Sequence, residues 1–180
     1  NTATCSFIVT VNDAQAPTIT CPANIVVSND ANQCNAVVGY NVTFSDNCAG
    51  GNRAQTAGLA SGATFPVGTT SNSFTATDAN GNTATCSFNV TVNDAQAPTI
   101  TCPANIVVGN DANQCSAVVS YSVTFSDNCP GVNLAQTAGL ASGATFPVGT
   151  TSNSFTATDA NGNTATCSFN VTVNDAQAPT

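Results

Sequence analysis

Charged residues are scarce in this sequence of 180 residues, and nearly all of them are acidic. It contains no Lys, Glu, His, Met or Trp; Arg53 is the single basic residue, and nine Asp give a net charge of −8. Nucleic acids and anionic membranes bind clusters of Lys and Arg. The composition therefore argues against both as partners, and we expect no nucleic-acid binding.

Long apolar runs and catalytic groups are missing as well. No stretch approaches the roughly 18 apolar residues of a transmembrane helix, so we expect no membrane insertion of this segment. Without His, Lys or Glu, no Ser or Cys lies beside a plausible general base. We therefore expect no enzymatic activity and no cofactor, with calcium, considered below, as the candidate exception.

What the sequence does contain is a repeat of 81 residues. Residues 1–99 match residues 82–180 at 91 of 99 positions. The differing pairs are Ile8/Asn89, Ser28/Gly109, Asn35/Ser116, Gly39/Ser120, Asn41/Ser122, Ala49/Pro130, Gly51/Val132 and Arg53/Leu134. The predicted boundaries are 1–13 for the C-terminal strand of an upstream repeat, 14–94 and 95–175 for two complete repeats, and 176–180 for the start of the next. We expect the chain to be a window of a longer array.

Cysteine is abundant, with four residues in each repeat and nine in the chain. No CxxC pair and no His are present, so a zinc site has no ligand set. Disulfides are the better explanation of this density, and they persist in oxidising compartments. The cysteines therefore predict an extracellular or cell-surface, secreted protein.

Apolar and polar residues alternate along the chain. Ala117, Val119, Tyr121, Val123 and Phe125 share one phase, and a second run repeats the pattern at Cys167, Phe169, Val171 and Val173. Period two indicates strands with one buried face, and Asn-Gly at 161–162 indicates a hairpin turn. We predict an all-β chain of tandem immunoglobulin-like β-sandwich domains, about seven strands each, in an elongated array.

The predicted strands of the second repeat follow the same alternation. They are A at Thr99–Cys102 continuing through Asn105–Val108, B at Ala117–Phe125, C at Asn133–Thr137, a D/E region at Ala144–Val148, F at Ser152–Thr158 and G at Thr164–Asn174. The stretch VNDAQAPTITCP, at Val92–Pro103 in this copy, joins strand G to the next strand A. Its joint residues Asn93, Asp94 and Pro98 are expected to form a short, stiff connection, because Pro restricts the residue before it.

Several motifs carry a family resemblance. TITCPANIVV, CSAVVSYSV, SDNCPG, SGATFPVGTT, FTATDANGN and TATCSFNVTV together resemble the hyalin repeat (HYR) module over nearly all of each repeat. The resemblance implies an extracellular, immunoglobulin-like domain associated with adhesion and without enzymatic activity. Arrays this uniform resemble those of very large bacterial surface proteins, including gliding and attachment adhesins.

The cysteine pairing follows partly from the predicted strands. Strands A and G are neighbours in such a sandwich, which predicts the disulfides Cys21–Cys86 and Cys102–Cys167. A straight strand B separates Cys34 from Cys48 by roughly 30 Å, whereas a disulfide needs Cα atoms within about 7 Å. Two pairings of the inner cysteines stay open: Cys34–Cys129 between domains, or Cys34–Cys48 and Cys115–Cys129 within them.

Acidic and amide side chains are expected to gather where repeats join. The set at the second junction is Asn93, Asp94, Asp127, Asn128, Asp159, Asn161 and Asn163. Of these, the candidate calcium ligands are Asp94, Asp127, Asn128, Asp159 and Asn161. Carboxylate and amide oxygens are the ligands that calcium prefers. Asp and Asn are also common turn residues, so a calcium site and ordinary turns are both open interpretations.

The repeat array favours a structural role. We predict a stalk or filament segment of an extracellular adhesin, with neighbouring repeats as its partners and other copies of the filament as an open alternative. A competing interpretation is a binding module for glycan or protein, in which repetition supplies avidity. Aromatic residues fall mostly on the inward phase of the strands and leave no platform for sugars, which favours the stalk.

Overall fold

The computed structural model describes residues 1–178, and within that range every regular element is a β-strand. In the described residues there is no helix of the length and hydrophobicity needed to cross a membrane. The chain divides into two compact units. The first contains Asn1–Ser28 and Asn35–Asn93, and the second contains Asn29–Cys34 and the residues from Asp94 onward.

Each unit contains eight strands with the same order and the same lengths. In the first unit they are β1 (Thr18–Thr20), β2 (Ile25–Ser28), β3 (Asn35–Val38), β4 (Thr43–Ser45), β5 (Asn52–Ala57), β6 (Ala63–Pro66), β7 (Gly68–Thr77) and β8 (Thr83–Asn93). In the second they are β9 (Thr99–Thr101), β10 (Ile106–Gly109), β11 (Ser116–Val119), β12 (Thr124–Ser126), β13 (Asn133–Ala138), β14 (Ala144–Pro147), β15 (Gly149–Thr158) and β16 (Thr164–Asn174).

The strands of a unit form two layers. In the second unit one layer is the four-stranded sheet β10-β16-β15-β13, in which β10 runs parallel to β16. The other layer consists of the antiparallel pairs β12–β9 and β11–β14. The buried cluster draws Ala117 and Phe146 from the second layer and Phe155 and Phe169 from the first. The predicted all-β, tandem β-sandwich fold is therefore confirmed.

Strand β16 shows how alternation builds this core. Phe169, Val171 and Val173 are at most 3% exposed, whereas Asn170 and Thr172 between them are partly exposed. Its hairpin partner β15 begins at Gly149, three residues earlier than predicted, and β16 has the predicted bounds. The turn between them closes with Asp159 N–H donating to the Asn163 carbonyl, and Gly162 adopts a φ of 90°.

The prediction of one straight strand B was wrong. The run breaks into β11 and β12, which pair with different strands, β14 and β9. At the break, the backbone N–H of Tyr121 donates to Ser142 Oγ at 2.8 Å instead of joining a ladder. The Tyr121 ring packs edge-on against Phe155 and Phe169. Burial still alternates across the break, where Tyr121 and Val123 pack against the core and Ser120 and Ser122 are exposed, but it ends before Phe125, which is 41% exposed.

Two further boundary predictions can be compared with the described residues. Residues 1–17 contain no strand, so the predicted strand at 1–13 has no ladder partner within the described part of the chain. Asn93 is the last residue of β8 and is exposed, while Pro98 is buried. The predicted start of a further repeat at 176–180 includes residues 179 and 180, which lie outside the described residues.

Candidate metal centre and disulfide pattern

Two disulfides lie at equivalent places in the two units. Cys21, just after β1, is bonded to Cys86 in β8, and Cys102, just after β9, is bonded to Cys167 in β16. The Cα atoms are 5.8 Å apart in both pairs. All four residues pack against the buried core of their unit. Each bond therefore joins the two layers of a sandwich across its core.

A third disulfide joins residues of different sequence repeats. Cys34 is bonded to Cys129, with Cα atoms 4.9 Å apart and a sequence separation of 95. The alternative pairs within one repeat do not form, because Cys48 and Cys115 are free and exposed. Cys5 is free and exposed as well.

The Cys34 segment, Asn29–Cys34, belongs to the second unit by its contacts. Gln96 accepts a hydrogen bond from Asn32 N–H at 2.8 Å and returns one to Asn32 Oδ1 at 3.1 Å. Asn128 Nδ2 donates to the Gln33 carbonyl at 2.9 Å. The segment is therefore held by side-chain amides as well as by the disulfide.

Three carboxylates of the second unit come together, each just after the end of a strand. Asp94 follows β8, Asp127 follows β12 and Asp159 follows β15. One carboxylate oxygen from each lies within 4.8 Å of the other two. We call this group the acidic centre. Sequence position predicted its members: Asp127 and Asp159 follow strands of the second unit, and Asp94 lies in the joint that leads into the first strand of that unit.

Asp159 is held in place by the hairpin that it begins. Its Oδ1 accepts hydrogen bonds from the backbone N–H groups of Asn161 and Asn163 at 2.9 and 2.8 Å, and its Oδ2 accepts one from Asn163 Nδ2 at 2.7 Å. Burial alone raises the pKa of Asp159, but these hydrogen bonds outweigh it and hold the pKa below its ordinary value. Asp159 is therefore ionised at neutral pH.

Asn163 also orders a second member of the acidic centre. Its Nδ2 donates to the Asp94 carbonyl at 3.1 Å as well as to Asp159. Asn161, which the sequence suggested as a ligand, is exposed and contributes its backbone N–H. The turn residue whose side chain binds both Asp94 and Asp159 is thus Asn163, two positions further along.

Several oxygens in and beside the acidic centre are buried without a hydrogen-bond partner. They are Asp94 Oδ2, Asp127 Oδ1 and Asn128 Oδ1. The other carboxylate oxygens are occupied: Asp94 Oδ1 accepts from Gln96 N–H at 3.1 Å, and Asp127 Oδ2 from Cys129 N–H at 3.2 Å. Buried polar atoms normally have hydrogen-bond partners, so this concentration of unpartnered oxygens distinguishes the acidic centre from an ordinary group of turn residues.

The first unit has an equivalent centre of Asp13, Asp46 and Asp78, also with oxygens within 4.8 Å of one another. Asp13 Oδ2 and Asp46 Oδ1 are again buried and unpartnered. Asp13 is only partly buried, however, whereas Asp94 is 6% exposed. The thiol of Cys48 hydrogen-bonds to Asp13, which raises the pKa of Cys48. The equivalent of Cys48 in the second unit is Cys129, which forms a disulfide with Cys34 and has no free thiol.

The fold and these sites define a class: tandem, disulfide-bonded β-sandwich repeats with acidic strand ends. Residues 12–92 and 93–173 each match the HYR domain family. The chain belongs to the HYR domain family, and the resemblance to the hyalin repeat module is confirmed. The matched ranges differ from the predicted repeats by two residues at each boundary.

A curated relative and several solved structures are similar to the chain. It is 33% identical over 186 residues to Hyalin of Strongylocentrotus purpuratus, an alignment that covers 97% of this chain and 15% of Hyalin. The chain thus spans about one seventh of that relative's length. The extracellular cadherin domains 1–5 of Protocadherin Gamma B2 match at 13% identity with a TM-score of 0.44, covering 93% of this chain and 42% of that one. Mouse Cadherin-23 EC22–24 matches at 12% identity with a TM-score of 0.41, covering 88% and 66%. At these scores the structural likeness carries no argument about function.

Proposed function

We propose that this chain is a spacer that carries mechanical tension in the stalk of a large extracellular or cell-surface adhesin, of the bacterial kind that its repeats resemble. The observation that carries the proposal is the Cys34–Cys129 disulfide, which joins residues of the two matched HYR repeats. Three disulfides in a chain without catalytic His or Lys suit an oxidising compartment and a structural, non-enzymatic role.

The disulfide gives consecutive repeats a second covalent connection. The first is the peptide chain between Cys86 and Cys102. The second runs from Cys21 to Cys34, across the disulfide to Cys129, and back to Cys102. A break anywhere in the first route leaves the repeats covalently joined. Redundant connection is what a filament under tension requires, and a ligand-binding module has no need of it.

The core disulfides also limit how far the chain can be pulled out. Each closes a loop with a sequence separation of 65, so about 50 of the 180 residues lie outside the two loops. At about 3.5 Å per extended residue, the oxidised chain reaches about 175 Å, whereas the reduced chain reaches about 630 Å. Unfolding under load therefore adds little length, which preserves the reach of a stalk.

A single chemical cut tests the second connection. The sequence contains no Met, so Ala95→Met creates one cyanogen bromide site between the two core disulfides. We expect the cleaved halves to migrate together on a non-reducing denaturing gel and to separate after reduction. With Cys34→Ala and Cys129→Ala added, the halves should separate without reductant. Separation of the halves in the unmodified cysteine background would refute the second connection.

Pulling and binding measurements test the role itself. When the oxidised chain is pulled from its two ends in a single-molecule experiment, its maximum extension should be about 175 Å. Adding a reductant should increase that extension several-fold. A glycan and protein array probed with the same chain should show no saturable binding. Saturable binding to one glycan or protein class would replace the spacer by the binding-module interpretation. Oxidised chains that extend to about 630 Å, the contour length of the reduced chain, would refute the argument that the disulfides limit extension under tension.

A further inference from the structure

We propose that the acidic centre of the second unit, formed by Asp94, Asp127 and Asp159, binds one calcium ion. The site is independent of the spacer role, because it rests on the geometry, burial and charge of this centre alone. Its test below reads metal binding and does not depend on pulling or adhesion.

The spacing of the three carboxylates suits a single ion. Calcium takes oxygen ligands at 2.3–2.6 Å, so two ligands on opposite sides of one ion lie about 4.6–5.2 Å apart and all others are closer. One oxygen from each of Asp94, Asp127 and Asp159 lies within 4.8 Å of the other two. All three can therefore reach one ion without a change in the strands that position them.

The unpartnered oxygens supply the second, independent observation. Asp94 is 94% buried, and its Oδ2 has no hydrogen-bond partner; Asp127 Oδ1 is buried without a partner as well. A buried acceptor left without a donor costs roughly 1–3 kcal/mol, and more when it is charged. The atoms without partners belong to the same carboxylates whose spacing fits an ion. A bound cation would satisfy both of them at once.

Charge balance points to the same ligand. The second unit contains no Lys, Arg or His, because the single basic residue of the chain is Arg53 in the first unit. The donors near the acidic centre are neutral: backbone N–H groups and the Asn163 amide. Three carboxylates packed this closely repel one another, and no protein cation compensates them. The countercharge must come from solution.

The donor types select calcium among the common cations. The centre offers carboxylate oxygens, with the unpartnered Asn128 Oδ1 beside it, and no imidazole or thiol for zinc or copper. Cys129 is bonded to Cys34 and has no thiolate to offer. Magnesium demands octahedral geometry at 2.0–2.1 Å and gives up its waters reluctantly, so it suits three fixed carboxylates in a buried centre less well.

The chain itself provides a matched control for the test. Asp175 occupies the same repeat position as Asp94 and makes the same turn, its Oδ1 accepting from Gln177 N–H at 3.1 Å. Asp175 is exposed, however, and belongs to neither acidic group found among the described residues. Asp94→Asn and Asp175→Asn therefore make the same chemical change, inside and outside the proposed site.

The experiment is calcium titration of the full chain by isothermal calorimetry, after stripping with a chelator, with magnesium titrated in parallel. We expect Asp94→Asn to lose one equivalent of bound calcium relative to the wild type, and Asp175→Asn to retain it. The first unit's centre, with its partly exposed Asp13, should bind more weakly and be unaffected by either change. Equal calcium stoichiometry in both variants, or magnesium binding as tight as calcium, would overturn the proposal.

Thermal melting separates a lost ligand from a damaged fold. In chelator, the second unit of Asp94→Asn should melt at or above the wild-type temperature, because the substitution relieves repulsion among the carboxylates. In millimolar calcium the order should reverse, because only the wild type gains stability from binding. A variant that melts lower than the wild type by the same amount in both conditions would show a purely structural role for Asp94.

Discussion

Removing the core disulfide of the second unit is the sharpest test of what stabilises a repeat. Cys102→Ala together with Cys167→Ala opens a loop with a sequence separation of 65. In the chain-entropy treatment, closing such a loop contributes about 4 kcal/mol to the free energy of unfolding. Domain stabilities are commonly about 5–15 kcal/mol, so the loss is a large share of the total. We therefore expect the second unit to unfold well before the first.

Tyrosine fluorescence can follow the two units separately. The chain has no Trp, and its two Tyr are Tyr40 in the first unit and Tyr121 in the second. On a Tyr40→Phe background, urea unfolding reports on the second unit alone. With a urea dependence of about 1–2 kcal/mol per molar, the loss of 4 kcal/mol moves the midpoint down by about 2–4 M.

Two controls define what would refute this reasoning. Cys115→Ala changes a free, exposed cysteine of the same unit and should move the midpoint by less than about 0.5 M. The mirror variant, Cys21→Ala with Cys86→Ala, should leave the Tyr121 signal unchanged. If the Cys102/Cys167 variant shifts no more than the Cys115 variant, loop closure does not stabilise the repeat and the assignment of the core disulfide fails.

Two further predictions concern packing and pH. Gly139→Ala should lower the free energy of unfolding by about 3 kcal/mol, because Gly139 has a φ of 90° and an added Cβ would overlap Asn153 Oδ1. Gly143→Ala is the control: Gly143 has a φ of 83° and open space around it, so this change should cost only about 1 kcal/mol in urea unfolding. Tyr121→Phe should cost about 1 kcal/mol at neutral pH, because the hydroxyl donates to the Leu140 carbonyl at 2.6 Å. Burial raises the pKa of Tyr121, so its contribution is present below the unfolded pKa of about 10 and is lost as pH rises through the folded value. The free energy of unfolding of the Tyr121→Phe variant, measured between pH 9 and 11, should not show this decrease. An equal decrease in both proteins would contradict the prediction.

Much of the fold was predictable because it depends on local rules. Alternation located strand β16 with its observed bounds, and Asn-Gly at 161–162 located the hairpin before it. The break between β11 and β12 was not predictable from periodicity. Side chains keep their alternate directions wherever the chain is extended, and only the hydrogen-bonding partner changes at the break. That partner, Ser142 Oγ on Tyr121 N–H, lies 21 residues away in sequence.

The members of the acidic centre were predictable from the sequence, but their burial and hydrogen bonds were not. The positions of Asp94, Asp127 and Asp159 after predicted strands were enough to predict that they lie close together. Sequence could not say which Asn of the turn binds them, since Asn161 and Asn163 lie two residues apart and differ only in the direction imposed by the hairpin. Nor could it show that Asp94 is buried with a free oxygen, because burial depends on residues distant in sequence.

The two acidic centres contain equivalent carboxylates but have different neighbours. The sequences within four residues of Asp13 and Asp94, and of Asp78 and Asp159, are the same; the difference nearest to Asp46 and Asp127 is Ala49/Pro130, three residues away. Asp94 is buried and Asp13 is partly buried, and Cys129 is buried where Cys48 is exposed. Asp94 follows strand β8, whereas residues 1–17 contain no strand, and Asn29–Cys34 belongs to the second unit and bonds to Asn128 and Cys129.

The centre that has the Cys34 segment attached and a strand leading into it is thus the more enclosed of the two. Enclosure raises the energetic cost of an unpartnered carboxylate oxygen and so strengthens its demand for a cation. We therefore expect disulfide formation and metal binding to be coupled in the second unit. Removal of the Cys34–Cys129 bond should weaken the proposed calcium binding there, measured by the same titration, even though it deletes no ligand.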